Sequence, residues 1–519
     1  MGKEKGFRMK QRLCIGIQEK NNAWTALLDQ LGVSFEEVNY NYDLEYQYSV
    51  IIQNKKPDKD QRSKLKGFLK KKGSLLEIGD NVVFNESKKI HSYHQKTIIN
   101  DSRKSFLSHI SHIDIRSKIR THEDSSLLEG LVYIDPDAKY NLAYLGVDAG
   151  DLLQSSGYKR KYFYSQHKEN PDEIVSQVSK HELSETLKSV LKELHFLRSL
   201  PYIEKWTSPT PKPVFGFRID SDFGDKESID QLYEIIHKHK KSATWFLHVQ
   251  AHEDWLEHFK SFQNQEIALH GYEHGTSDSY KKVFHNINNG LQLLEKAGFE
   301  PTGFCAPYGI WNKALSKALH QTDFTYSSEF TFGYDGLPFQ PAKEHLPLQI
   351  PIHPVCTGSL NRRQYSIKDM KSYFEQILRN KLSRFEPAFF YHHPLQPGLS
   401  VIDHLLELSN VHDFENLTFA QFATFWKERQ AFTFDAYMKD NRVSIDKSSD
   451  PEKLIQVSFN HFEFDLVTTE KAVTDLTKSS KLKYSNPYLP NPNEASEMRR
   501  RNLQLLKTSL LDWKNRIRL

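Results

Sequence analysis

The run VFGFRIDSD, residues 214–222, constrains this chain more than any other stretch. Its first part is apolar enough for a buried β-strand, yet it ends in an arginine and two carboxylates. Side chains two apart on a strand share a face. Arg218, Asp220 and Asp222 therefore point one way, and Phe217 and Ile219 the other. Two acids beside an apolar strand are costly unless a cation, a metal or water at the strand mouth compensates them. The rest of the chain has to supply a core for one face and a site for the other.

A chain of 519 residues is too long for one ordinary core, so several domains are expected. Hydrophobic residues make up 38% and aromatics 12%, enough for folded domains rather than disorder. With 70 basic against 66 acidic residues, the charge balance argues against a whole-chain nucleic-acid binder. The start, MGKEKGFRMKQRLCIGI, lacks the apolar stretch of a signal peptide, and no 18-residue apolar run occurs. Three cysteines, Cys14, Cys305 and Cys356, make no disulfide framework and no CxxC pair. The expectation is a cytoplasmic protein.

The chain divides into four expected blocks. Residues 1–160 alternate short apolar strands (RLCIGI, VSFEEVN, YSVIIQ, SLLEIG) with helical segments such as NAWTALLDQLG, closed by Gly32. No GxGxxG or P-loop follows these strands, so no nucleotide site is expected there. In pattern this block resembles the flavodoxin-like α/β domains related to class I glutamine amidotransferases, but Cys14 lies within its first strand and reads as an inert core residue. Residues 161–212 read as a helical connector, with Leu187, Val190, Leu191, Leu194 and Leu197 at helical spacing, and the proline-rich linker TSPTPKP. A second α/β series fills 213–430. Residues 431–519 read as short strands followed by a basic C-terminal helix over roughly 494–518.

Within the second α/β block, IALHGYEHGT places His270 and His274 four apart, a spacing that lets two imidazoles grip one metal ion from one helical face. The chain holds 24 histidines, and His248 and His252 repeat the spacing, so the pair alone is a weak signal. Strand-ending His270 is followed at once by glycine, which is how side chains reach the rim of a barrel; His248 and His252 read as structural or surface residues. Taken in order, FRIDSD, HGYEH, GFCAPYG (303–309) and FFYHHP (389–394) resemble the NodB-type polysaccharide deacetylases, carbohydrate esterase family 4. The resemblance covers about 213–430 and implies a distorted (β/α)7-type barrel. It implies that Asp222, His270 and His274 bind a divalent metal, Zn2+ or another transition ion, with Asp220 as catalytic base. It implies further that the backbone N–H of Tyr308 stabilises the oxyanion and that His393 protonates the leaving amine. His392 is the competing acid, because neighbouring strand residues face opposite ways.

One position departs from the family pattern: its R-x-P-Y arginine falls at Cys305 in CAPY. A neutral thiol cannot hold the catalytic aspartate as a guanidinium does. Either the enzyme is impaired or another cation has taken the role, and Arg218, on the strand face of Asp220, can grip a carboxylate at two points. His353 in LQIPIHPV sits in extended backbone before a proline, as groove lining or as packing.

The activity implied is hydrolysis of an N-acetyl, or O-acetyl, group on a sugar, polysaccharide or precursor. Two rivals stand beside it: a glycosyltransferase using DSD as a D-x-D metal grip, and a degenerate deacetylase fold that only binds glycans. The expected partner is an acetylated carbohydrate and not a nucleic acid. In the final helix, Leu503, Leu506, Leu510, Trp513 and Ile517 form one stripe among seven basic residues, a pattern suited either to docking on its own protein or to lying on an anionic membrane.

Overall fold

The computed structural model describes residues 10–84, 90–101, 105–135, 139–342, 345–446, 449–450, 452–469, 473–475, 481–499, 506–508 and 510. The chain forms two compact units, and neither is continuous in sequence. One comprises residues 1–153, 182–211 and 428–485; the other comprises 154–181, 212–427 and 486–519. The four consecutive blocks expected from sequence therefore interleave. The sequence could not show this, because which segments share a core depends on contacts between distant residues.

The first unit is built on a six-stranded sheet with helices between its strands. Its parallel strands Ile15–Ile17, Phe35–Glu37, Val50–Gln53, Ser74–Ile78 and Asn141–Leu145 lie in spatial order 2-1-3-4-5, and Val132–Ile134 adds antiparallel at the far edge. The helix Asn22–Leu31 starts where Asn21 caps the Trp24 N–H and stops at Gly32, whose φ of 77° is left-handed. The expected strand at 12–17 is broken. Gln11–Arg12 pairs instead with Asp435–Lys439, while Cys14 is buried and burial pushes its thiol pKa up to about 12. The tail strands join this unit: Tyr202–Lys205, Leu454–Ser458 and Glu463–Thr468 form one antiparallel sheet. Leu13, Ile203, Phe434, Ile445 and Val457 share a core there.

The second unit carries the motifs. Its sheet consists of β1 (Val214–Asp220), β2 (Thr244–Leu247), β3 (Glu266–Leu269), β4 (Gly303–Phe304), β5 (Tyr326–Ser327), β6 (Leu348–Gln349), β7 (Ala388–His392) and β8 (Glu415–Asn416), all parallel. The order is β6-β5-β4-β3-β2-β1-β7, with β8 on the first two residues of β1. Consecutive strands are neighbours until β7 returns beside β1, so the sheet curls into a (β/α)7-type half-barrel, and among the described residues no pairing joins β6 to β7. Helices follow most strands: Lys226–Lys238, capped by Asp225, then Tyr280–Lys296, Lys313–Leu319, Ile367–Ser383, which starts in a Ser366/Asp369 capping box, and Leu399–Val411. Every residue of β1 is buried, because helices cover its outer face and the barrel interior takes the other.

The connector expected to be helical over about 165–205 is helical only at Lys180–Phe196; ahead of it, Tyr158–Tyr162 and Asp172–Ser176 form an antiparallel hairpin of the second unit. At the C-terminus Pro492–Arg499 is helical. The expected apolar stripe lies largely outside the described residues; of it, Leu506 and Leu510 are described, and both are exposed. Among the described residues no helix is long and apolar enough to cross a membrane.

Candidate active site

Asp220 closes β1 and Asp222 lies in the turn beyond it, where the backbone reverses into the left-handed region at φ 42°. Such a conformation is uncommon for a non-glycine residue, and aspartate tolerates it better than most. The turn is held by the histidines of the decoy pair. His248 Nδ1 lies 2.8 Å from the Asp222 carbonyl oxygen, and His252 Nε2 lies 2.8 Å from Ser221 Oγ, which in turn accepts the His248 N–H. Both rings are largely buried, and burial pushes both pKa values down to about 4. They are structural supports for the aspartate turn rather than surface residues.

His270 follows β3. Its neighbour Gly271 has φ 95°, and a Cβ there would stand 3.2 Å from the Asn286 amide nitrogen, so glycine permits the turn that brings His274 back toward His270. The Nε2 atoms of His270 and His274 lie 3.3 and 3.0 Å from Asp222 Oδ1. Three ligands held about 2.0–2.1 Å from a tetrahedral ion would stand about 3.3 Å apart, so this spacing fits a metal.

The hydrogen bonding fits as well. His270 Nδ1 is 2.9 Å from the Cys305 carbonyl oxygen, a pure acceptor, which assigns the proton to Nδ1 and leaves a lone pair on Nε2. That lone pair faces Asp222 Oδ1, a buried oxygen with no hydrogen-bond partner. A cation between them, a metal ion or a second proton on the imidazole, satisfies both.

Asp220 stands behind this group and belongs to Arg218. Nε and Nη2 of Arg218 donate to the two oxygens of Asp220 at 2.5 and 2.7 Å, and Nη1 donates to the Ser328 carbonyl at 2.6 Å. The guanidinium is fully buried, 5.1 Å from the centroid of Phe246 and 5.7 Å from that of Tyr391. Burial opposes the charge on Asp220, but Arg218 above all, with His393, outweighs it and holds the carboxyl below the usual carboxylate range. The pairing also bears on the D-x-D reading. Both oxygens of Asp220 are taken by a guanidinium, whereas Asp222 Oδ1 faces both His270 and His274.

Cys305 is buried with its Sγ 3.7 Å from Asp220 Oδ1. Burial pushes its thiol well above its ordinary pKa, so it is a neutral neighbour of the ion pair. Two residues beyond Ala306, Tyr308 has φ 59°, and its ring lies 4.9 Å from that of His274. The loop is braced from β5. Glu329 Oε1 accepts the Ala306 N–H at 3.1 Å; Thr331 Oγ1 accepts the Trp311 N–H at 2.7 Å and donates to the Gly309 carbonyl at 2.8 Å.

The two histidines of YHHP separate. His393 lines the cavity with Nε2 3.6 Å from Asp222 Oδ2 and 3.9 Å from Asp220 Oδ2. Burial disfavours its charge, but Asp222, Cys356 and Asp220 outweigh burial and push the pKa up to about 10. His392 turns to Thr357 Oγ1 at 3.1 Å, and burial pushes it down to about 3. His353 is absent from the cavity wall; it is buried between Asp335, at 3.0 Å, and the Tyr373 hydroxyl, also at 3.0 Å.

Asp220, Asp222, His270, His274, Tyr308 and His393 thus line one cavity of about 310 Å³, with Arg218 behind the wall. The family model of polysaccharide deacetylases covers the first five of these lining residues. Residues 207–327 match the polysaccharide deacetylase family.

The chain is also similar to solved structures. One is a Mycobacterium smegmatis protein assigned to the polysaccharide deacetylases, with 16% identity, 44% of this chain and 93% of that one covered, and a TM-score of 0.37. Another is a peptidoglycan deacetylase of Bacillus subtilis, at 18% identity, 43% and 96% coverage and a TM-score of 0.31. A third is a carbohydrate esterase family 4 pseudoenzyme from Bacillus anthracis, at 16% identity, 42% and 69% coverage and a TM-score of 0.31. No curated protein matches the chain.

The cavity wall also contains residues that no sequence motif singles out: Glu173, Cys356, Ser359, Arg362 and Gln396. Glu173 comes from the hairpin upstream of the linker. Cys356, Ser359 and Arg362 come from the segment between β6 and β7. Burial acts upward on the Cys356 thiol, but the hydrogen bond and charge of His393 outweigh it and bring it down to about 7.

Proposed function

We propose that the protein is a metal-dependent carbohydrate deacetylase that hydrolyses an N-acetyl group on a sugar. The observation that carries this reading is the meeting, in one cavity, of the Asp222–His270–His274 cluster with an aspartate that a buried arginine keeps ionised and off that cluster. Asp222, His270 and His274 would hold the ion, and two imidazoles with one carboxylate suit zinc with a position left open. Bound there, the metal would polarise the acetyl carbonyl and acidify water.

The other roles fall to the chain itself. Asp220, ionised at neutral pH, takes the proton of the attacking water. Arg218 fixes both its oxygens, so the base neither rotates away nor competes for the cation. The N–H of Tyr308, in the loop that Thr331 braces at Gly309 and Trp311, would serve the developing oxyanion. His393, charged before the reaction, gives its proton to the departing amine. Cys356 and the two aspartates keep that imidazole protonated and in place.

A second reading draws on Cys305: a glycan-binding fold without turnover. Acetate release from a panel of N-acetylated sugars, measured on zinc-loaded protein before and after chelation, distinguishes the two. Metal-dependent release supports the deacetylase; bound zinc with no release from any sugar supports the binder.

A further inference from the structure

The hairpin that precedes the linker is built into the wall of the cavity. Asp172 and Glu173 are adjacent on its second strand and so point to opposite faces. Asp172 is buried between Arg160, at 2.6 Å, and Arg363, at 2.7 Å. That double ion pair anchors the strand against the segment between β6 and β7 and delivers Glu173 to the cavity. There Glu173 Oε2 accepts from the Ser359 hydroxyl and from Arg362 Nη2, each at 2.8 Å, while Oε1 accepts its neighbour's backbone N–H at 3.0 Å. Ser359, Arg362 and Gln396 line the cavity around it, and Tyr308, Phe330 and Tyr391 form its aromatic walls. At about 310 Å³ the space lies near the lower limit for small-molecule sites, room for one sugar unit.

Resting on the deacetylase reading, we propose that Glu173 and Arg362 select the sugar, and that Glu173 restricts it to a ring with no anionic group at this wall. A carboxylate accepts from hydroxyls and a guanidinium donates to them, so the pair matches neighbouring neutral hydroxyls. An acidic substituent would meet the charge of Glu173, and Arg362, the nearby cation, is already bound to that carboxylate. Like charges brought together across a binding surface exclude wrong partners in this way. Glu173 is thus a specificity-determining residue supplied from outside the segment that matches the deacetylase family.

The test compares acetate release from N-acetylglucosamine and from N-acetylmuramic acid, the same ring with an added carboxylate, using the zinc-loaded full chain. Wild type is expected to favour the neutral sugar by about tenfold or more in kcat/KM, chiefly through KM. Glu173→Gln can still accept from Ser359 but removes the negative charge that balances Arg362. It should lower that preference at least about fivefold through the KM values, with metal content unchanged. The Glu173→Gln/Arg362→Gln double variant should take the anionic sugar's gain away again. A preference that does not move in Glu173→Gln, or a loss confined to kcat for both sugars, overturns the inference and leaves the deacetylase function standing. No acetate from either sugar with wild-type protein overturns the inference, while the deacetylase reading falls only if the whole panel of N-acetylated sugars gives none.

Discussion

Arg218 and Asp220, two residues apart on one face of one buried strand, are joined by two hydrogen bonds of 2.5 and 2.7 Å. Both members of the pair lie on β1, so strand pleating places the base beside the group that keeps it ionised, and the Ser328 carbonyl holds the guanidinium from the other side. The geometry accounts for how a cysteine can stand at 305. The carboxylate's two-point partner reaches it along its own strand, and the thiol lies against it at 3.7 Å and against His270 Nδ1 at 2.9 Å.

Arg218→Ala should leave Asp220 charged and unpaired in the interior. We expect activity to fall by at least about a hundredfold and stability by about 3–5 kcal/mol, with zinc content retained. Arg218→Met/Asp220→Asn, which removes both charges, should recover most of the stability and none of the activity. Denaturation midpoints, metal analysis and acetate release check this. Full activity in Arg218→Ala would remove the role assigned to the pair.

Cys305→Arg restores the family residue but places a second guanidinium beside Arg218 in a fully packed interior. Overpacking alone is expected to cost about 1–3 kcal/mol, and activity should fall rather than rise. A gain in acetate release would instead show that the cysteine impairs the site.

Glu329 gives a pH signature. Burial raises its pKa to about 7, against the hydrogen bond from the Ala306 N–H, from an ordinary value of 4.5. A raised carboxyl pKa means that the folded protein holds the proton over an interval where the unfolded chain has lost it. Stability should therefore fall as pH rises from about 4.5 to about 7, by an amount on the order of 3 kcal/mol, and then level off. Glu329→Gln, which can still accept from Ala306, should be more stable than wild type at pH 8 and similar at pH 4. Parallel stability–pH curves for the two proteins would contradict the assignment.

The legible part of the site was the part encoded locally. Alternation along VFGFRID put Arg218 and Asp220 on one face, and the strand end followed by glycine placed His270 beside the aspartate turn. Helix limits followed the same rule, as at Asn21 and Gly32. What depended on distant packing was hidden. Nothing in HVQAH distinguishes rings that brace a turn from rings that bind a metal until Ser221 and the Asp222 carbonyl are beside them. Tyr158–Tyr162 and Asp172–Ser176 carry too many charges to read as strands; the acids Asp172 and Glu173 are paired by Arg160 across the hairpin and by Arg363 and Arg362 nearly two hundred residues away. Glu173 could not be found without that docking, and the interleaving of the two units has the same cause.

The central claim is that two aspartates two residues apart have separate tasks, one on the metal and one on the proton. The direct measurement is zinc content together with acetate release for Asp222→Ala and Asp220→Asn, side by side. Asp222→Ala should lose both zinc and activity, whereas Asp220→Asn should keep zinc and lose activity by about a hundredfold or more. If Asp220→Asn loses zinc, or if Asp222→Ala keeps zinc and turnover, the division of labour is wrong.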